Sequence, residues 1–423
     1  MLESTLFLHV MRRETLVSLE PRLSLEDRVL LCAAHPRVTP ERQAQLKALA
    51  ASSPDWGNVV ALAERHQLLP LLLQNLQAAP ASGIPHVIMT TLASGAREYV
   101  VWNLHLHGEL LRLLAVFNRA TIPVMPLKGL WLADLLYGDV TLRPTGDLDL
   151  LVRKEYLAHA ERLLRESGYA HGRLREHEED SYHYTFVRAD HRTAPVTVEL
   201  HWDIVRTHIA RRDIEEVWSA ASCGEWHGRK IWTMSAPDLF LILSENATKD
   251  TFGFFKQVVD VGLLIERYGP TWSWSALART VQAAHLRTRV FLTLCLAQEL
   301  CGSQVPGDFL AAIRPPQGLS WRVGVRLLRR RGGVLHAARA DTGPPLNTIL
   351  TLLWEDSWRG KLRHFRRLVR PPSSYHARRI NVPPSASAWR WYPLWIRYAV
   401  GQAFLLVRMI RRKRRQEDTT SHP

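Results

Sequence analysis

The chain has 423 residues, 46% of them hydrophobic and 22% charged, which is length for two or three domains and excludes a mostly disordered or collagen-like polymer. Four cysteines (Cys32, Cys223, Cys295, Cys301) with no Cys-x-x-Cys pair exclude a zinc ribbon, an iron–sulfur site and a disulfide scaffold. The formal charge of +15 is uneven: residues 314–423 hold 23 Lys+Arg against 5 Asp+Glu, so the body is slightly acidic and the basicity sits in the last quarter.

The first ten residues include Glu3 and are followed by Arg12-Arg13-Glu14, which does not suit a signal peptide, so a cytoplasmic location is expected. Residues 23–79 read as helical. Pro40-Glu41-Arg42 suits a helix start, and Trp56, Val59, Val60, Leu62, Ala63, Leu68 and Leu69 recur at near-helical spacing. After a Pro/Gly/Ser break at 80–85, a long helix is expected over about 87–118, with Leu104, Leu110, Leu111, Leu114 and Phe117 on its core stripe. The period then changes. Residues 121–127 form a short, partly β-branched apolar run ending on Lys128-Gly129, followed by a helical stretch to Tyr137 and a turn-rich segment at 138–146. Residues 147–152, Asp-Leu-Asp-Leu-Leu-Val, lead to a polar helix at 155–167 stopped by Gly168. Two more strands are expected at 182–188 and 196–202. Beyond Pro237 the pattern is helical again, through Leu239, Ile242, Phe255, Val258 and Val259 and then 274–300, up to a boundary at Pro315-Pro316.

Asp147 and Asp149 are two apart in a strand-like run, so both carboxylates project from one face while Leu148 and Leu150 enter the core. Such a pair needs a positive partner, and a hard dication such as Mg²⁺, with Mn²⁺ as the substitute, is the usual one; two such ions can clamp the attacking and leaving oxygens of a phosphoryl displacement. Glu199, in the alternating run at 196–202, is the candidate third acid if that strand lies beside 147–152. Lys128-Gly129 stands at a strand-to-helix junction, where backbone amides bind phosphate and Gly permits close approach; with 8 Lys against 47 Arg, a lysine there stands out. Arg143-Pro-Thr-Gly146 adds a cation and a tight turn immediately before the acids. His201 is expected to point inward, with Trp202 beside the Glu199 face, and either orients a catalytic group or is a hydrogen-bonded structural histidine. His177, His183 and His191, near Glu178, Glu179 and Asp180, lack zinc-site spacing and are expected to be surface loop or strand residues. There is no Gly-x-Ser-x-Gly, Gly-x-Gly-x-x-Gly or Walker-type motif.

The order Leu127-Lys-Gly, Tyr137, Arg143-Pro-Thr-Gly-Asp-Leu-Asp-Leu-Leu-Val, then Glu199-Leu-His-Trp resembles the uncharacterised nucleotidyltransferase family of the DNA polymerase β-like superfamily. The flanking helical segments are similar too, so the resemblance spans roughly residues 25–310. It implies an α+β fold, a small mixed-sheet nucleotidyltransferase core embedded in mostly helical domains. The expected division is a helical region at 1–95, the core at 96–235, a helical domain at 236–314 and a basic helical extension at 315–423. It further implies transfer of a nucleoside monophosphate from an NTP to an acceptor, with Asp147, Asp149 and Glu199 as the catalytic and metal-binding acids, Glu199 also helping to activate the acceptor. Lys128 and Gly129 occupy the place of the superfamily's Gly-Gly or Gly-Ser loop, as phosphate contact or structural anchor. Lys249 and Lys256 lie where the helical domain would face the nucleotide, and either is a candidate for the triphosphate.

The acceptor is expected to be a small molecule, sugar, peptide or protein. The alternative is a catalytically weak member that serves as a binding or membrane-associated accessory protein. In the tail at 389–415, aromatic residues precede an apolar run at 399–407 and a polybasic end. The run is shorter than the roughly 20 residues needed to span a bilayer. An interfacial helix on anionic lipid at the inner membrane face competes with a helix packed on the body, and nucleic acid is the third reading.

Overall fold

Residues 19, 23–80, 83–172, 182–190, 193–204, 213–330, 332–336 and 344–362 are described by a computed structural model. The tail at 389–415 lies outside the described residues, as do His177, Glu178, Glu179, Asp180 and His191.

The described residues begin with helices whose starts are written in their caps. In α1 (Leu25–Ala33) the Ser24 side chain accepts from the Asp27 N–H while Asp27 accepts from the Ser24 N–H. Thr39 caps α2 (Pro40–Ala51), with Pro40 in the first turn where no N–H is needed, and Asp55 caps α3 (Trp56–Arg65). The fourth helix, α4 (Leu69–Ala78), leads to α5 (His86–Arg119), 34 residues long. That helix buries Leu106, Leu110, Leu113, Leu114 and Phe117. Leu104, expected on this stripe, is 50% exposed, because the buried row at 3.6 residues per turn runs through Asn103 and Leu106 and leaves 104 on the flank.

The sheet is built next, from β1 (Val124–Pro126), β2 (Leu148–Val152), β3 (Ala170–His171), β4 (His183–Asp190) and β5 (Thr193–His201), with α6 (Leu130–Tyr137) and α7 (Leu157–Glu166) in the connections. Its order is β1-β2-β5-β4-β3; β2 and β5 run parallel and the other pairs antiparallel. The β2–β5 register sets Leu148 against Val198 and Leu150 against Leu200, all four at 3% exposure or less. Burial of that apolar face fixes the register, since a one-residue slip would bring Asp149 and Glu199 into the core.

After α8 (Ile214–Ser219) comes a hairpin, β6 (Ser222–Trp226) and β7 (Arg229–Thr233). No strand was expected here from sequence. Its two-residue turn, His227 at φ 47° and Gly228 at φ 70°, has the paired positive dihedrals that match the twist of adjoining strands. The rest of the described chain is helical: α9 (Ala236–Lys249), α10 (Phe255–Tyr268), α11 (Trp274–Ala283), α12 (Arg287–Cys301), α13 (Gly307–Ile313), α14 (Leu319–Arg330) and α15 (Pro344–Leu353). Buried apolar side chains from Leu19 to Trp354 form one connected cluster. The fold is α+β, a small mixed sheet among helices. No helix among the described residues is long and apolar enough to cross a membrane.

His66 joins distant parts of the chain. It is fully buried; its Nδ1 accepts from the Phe255 N–H (3.1 Å), which leaves Nε2–H to donate to the Leu335 carbonyl (2.9 Å). The bond from the Phe255 N–H requires the neutral ring, and burial pushes its pKa down to about 4 against the opposing pull of the Leu335 carbonyl.

Candidate functional site

Asp147 precedes β2, Asp149 is its second residue, and Glu199 sits on β5 directly opposite Asp149. Carboxylate oxygens of all three lie within 4.8 Å of one another. The parallel pairing of two strands that alternate apolar and acidic residues is what brings them together. Asp149 is the deepest, at 4% exposure.

Three side chains answer this charge. Lys128 Nζ lies 3.1 Å from Asp149 Oδ2, and His201 Nε2 lies 3.3 Å from Asp149 Oδ1 and 3.4 Å from Glu199 Oε2. His183 Nε2 reaches to 3.7 Å from Glu199 Oε1. His201 therefore faces the acids, and the expectation that it points inward with Trp202 beside Glu199 is corrected. Residues 199 and 201 have the same strand parity, as do 147 and 149. His183 is likewise a member of the site, not a residue apart from it, because the β4–β5 register pairs it with His201.

The titration follows from these contacts. Burial alone would raise Asp149, but Lys128 and His201 hold it well below the usual carboxylate range. The Asp149 charge and burial push Asp147 up to about 6, with Lys128 opposing. Burial would also raise Glu199, yet the His201 hydrogen bond keeps it below its ordinary value. For Lys128 and His201 burial works downward and the neighbouring carboxylates outweigh it, so both are raised.

Lys128 and Gly129 lead from β1 into α6. Gly129 has φ 71°, and a Cβ there would lie 3.1 Å from Thr145 Cγ2, so only glycine fits without strain. A cavity of about 260 Å³ opens between this turn, α9 and α10; Lys128, Gly129, Arg143, Gly146 and Lys256 line it together with Asp147 and Asp149, and Glu199 does not. A larger cavity, about 1120 Å³, lies between α1, α2, α10 and the end of α12 and touches none of these residues. Lys249 does not line the acid-bearing cavity; its Nζ is 3.2 Å from the Tyr182 hydroxyl.

The two remaining cations serve the loop before the acids. Arg143, 5% exposed, makes a bidentate pair with Asp260 on α10 (2.8 and 2.7 Å), and Tyr137 donates to the same carboxylate at 2.7 Å. Lys256 Nζ donates to the Pro144 carbonyl at 2.6 Å and to Gln67 Oε1. Burial and the nearby Arg143 charge push the Lys256 ammonium down to about 7. Asn103 on α5 completes the fixation: its Nδ2 donates to the Arg143 carbonyl (2.9 Å) and its Oδ1 accepts from the Thr145 N–H (3.1 Å). Asn103 and Gln67 carry no motif and were not legible in sequence. The one available signal was an amide in the buried row of α5, which is apolar apart from it and Glu109.

The donor set suits a hard dication. Three converging carboxylates, one raised by the charge of its neighbour, suit a cation that prefers oxygen ligands. A family model described as an uncharacterised nucleotidyltransferase matches residues 52–302, more than half of the chain and every acid and cation named above. Neither a curated protein nor a solved structure matches the chain.

Proposed function

Because the chain belongs to this uncharacterised nucleotidyltransferase family, we propose that it moves a nucleoside monophosphate from an NTP to a small-molecule, sugar, peptide or protein acceptor in a Mg²⁺-dependent reaction. The observation that carries the reading is the convergence of Asp147, Asp149 and Glu199 on one face of paired strands, beside a glycine turn that leads into a helix.

In this reading Asp147 and Asp149 would hold Mg²⁺, which supplies positive charge against the phosphates and the developing charge on the α-phosphoryl group. Gly129 lets the triphosphate approach the backbone at the start of α6. Glu199, kept ionised, takes the proton of the attacking group as its bond to the α-phosphorus forms; the α–β phosphoanhydride bond breaks and pyrophosphate leaves. Lys128 keeps Asp149 ionised before substrate arrives. Arg143 and Lys256 act as positioning residues for the 143–146 loop, since both are already paired with groups of that loop or of α10. Gly146 gives that loop an open approach to the cavity, and Lys249 stands apart from it.

Calorimetric titration of each NTP with Mg²⁺ tests the site. Binding should require the metal and fall at least tenfold in Asp149→Ala, whereas equal binding in that variant would remove the acids from the site.

A further inference from the structure

The imidazole side of the acid cluster has its own geometry. His183 on β4 and His201 on β5 are cross-strand partners, with ring centroids 4.9 Å apart. Each turns Nε2 toward a different oxygen of one carboxylate: His183 to Glu199 Oε1 at 3.7 Å, His201 to Glu199 Oε2 at 3.4 Å. Ligands held about 2.0–2.1 Å from a tetrahedral ion stand roughly 3.3–3.4 Å from each other. The His201–Glu199 separation is near that edge length, His183 stands closer to the other oxygen of that carboxylate, and one ligand atom from each of the three residues lies within 4.8 Å of the others; the same His201 Nε2 is also 3.3 Å from Asp149 Oδ1.

We propose that His183, His201 and Glu199 form a second metal site, distinct in chemistry from the all-carboxylate one, that takes a borderline transition-metal dication of the Zn²⁺ class. Imidazole nitrogen discriminates for such ions, while Mg²⁺ prefers oxygen and keeps its waters. Three protein ligands leave one position open for water or another oxygen donor. Glu199 belongs to both groups and is the carboxylate through which they meet. The backbone prepares the site: the β4–β5 pairing sets the two histidines side by side, and His201 is only 5% exposed, so its ring is held in place without the ion. The site shares Glu199 with the transfer reading, but metal binding is read without turnover, so the failure of one is told apart from the failure of the other.

Titrating metal-free, full-length protein with Co²⁺ in excess Mg²⁺ tests it, because Co²⁺ on nitrogen and oxygen ligands in a low-coordinate site absorbs visibly. The expected result is stoichiometric visible bands that persist in Mg²⁺, are bleached by Zn²⁺, and remain in Asp147→Asn. They should be lost in His183→Ala and His183→Gln. His183 is the decisive position because it is only partly buried, and a melting curve for each variant separates lost binding from lost fold. Absence of bands, bands removed by Mg²⁺, or bands unchanged in a folded His183→Gln variant would overturn the site and leave His201 as an imidazolium between two carboxylates.

Discussion

Asp147 is held in a conflict that its strand creates. Its carboxyl is pushed up to about 6 from an ordinary 3.8, chiefly by the Asp149 charge. Its proton is therefore bound more tightly in the folded chain than in the unfolded one. The stability this gives is complete below about pH 4 and is lost as the pH rises through 6. A shift of this size is worth roughly 3 kcal/mol at most. Asp147→Asn should accordingly stabilise the metal-free protein at pH 7.5, with the advantage vanishing at pH 4, while abolishing transfer. In the wild type Mg²⁺ should raise the melting temperature more at pH 7.5 than at pH 5, because proton and ion compete for one carboxylate. Urea and thermal unfolding at the two pH values check this; a variant less stable than wild type at pH 7.5 would contradict it. Lys128, 3.1 Å from Asp149 Oδ2, offsets part of that charge.

At the scale of elements, the loop at 143–146 is suspended between α5, α6 and α10. The Arg143–Asp260 pair is its main tie, and both groups are almost wholly buried. Removing one partner strands the other charge, which costs about 3–5 kcal/mol, whereas replacing both by apolar residues costs far less. Asp260→Ala should therefore lower the urea-unfolding free energy by about that much, and Arg143→Met with Asp260→Leu should recover most of it. A loss below about 1 kcal/mol in the single variant would show the pair to be unimportant to the fold. The elements carrying the acids were legible because apolar residues flank each acid: Leu148 and Leu150 around Asp149, Val198 and Leu200 around Glu199. The hairpin of β6 and β7 was not. Ser222, Cys223, Gly224 and Glu225 are all exposed, so no apolar alternation marks the strand, and only the Gly228 turn hinted at it. His183 was missed for another reason: what places it at Glu199 is the pairing of β4 with β5, which no local pattern reveals. Leu104 shows the limit of stripe reading in a 34-residue helix, where a neighbour of the buried row is easily counted into it.

At the scale of the whole molecule, the walls of the cavity come from segments far apart in sequence, Gln67 before α4, the β1–β2 connection, and Lys256 and Asp260 on α10. His66 holds the first and last of these together through the Phe255 N–H, and only as a neutral ring. The charge is divided along the same chain, a near-neutral body holding the acids and a basic last quarter. The most direct test of the whole account is transfer itself. Full-length protein would be incubated with each NTP radiolabelled at the α-phosphate, with Mg²⁺ and a cell extract as acceptor source, beside the Asp147→Ala/Asp149→Ala double variant. The account predicts label moved from at least one NTP to an acceptor by the wild type alone, only with the metal present, and with release of pyrophosphate. Folded wild-type protein that transfers nothing from any NTP, or a double variant that transfers as well as wild type, would contradict it.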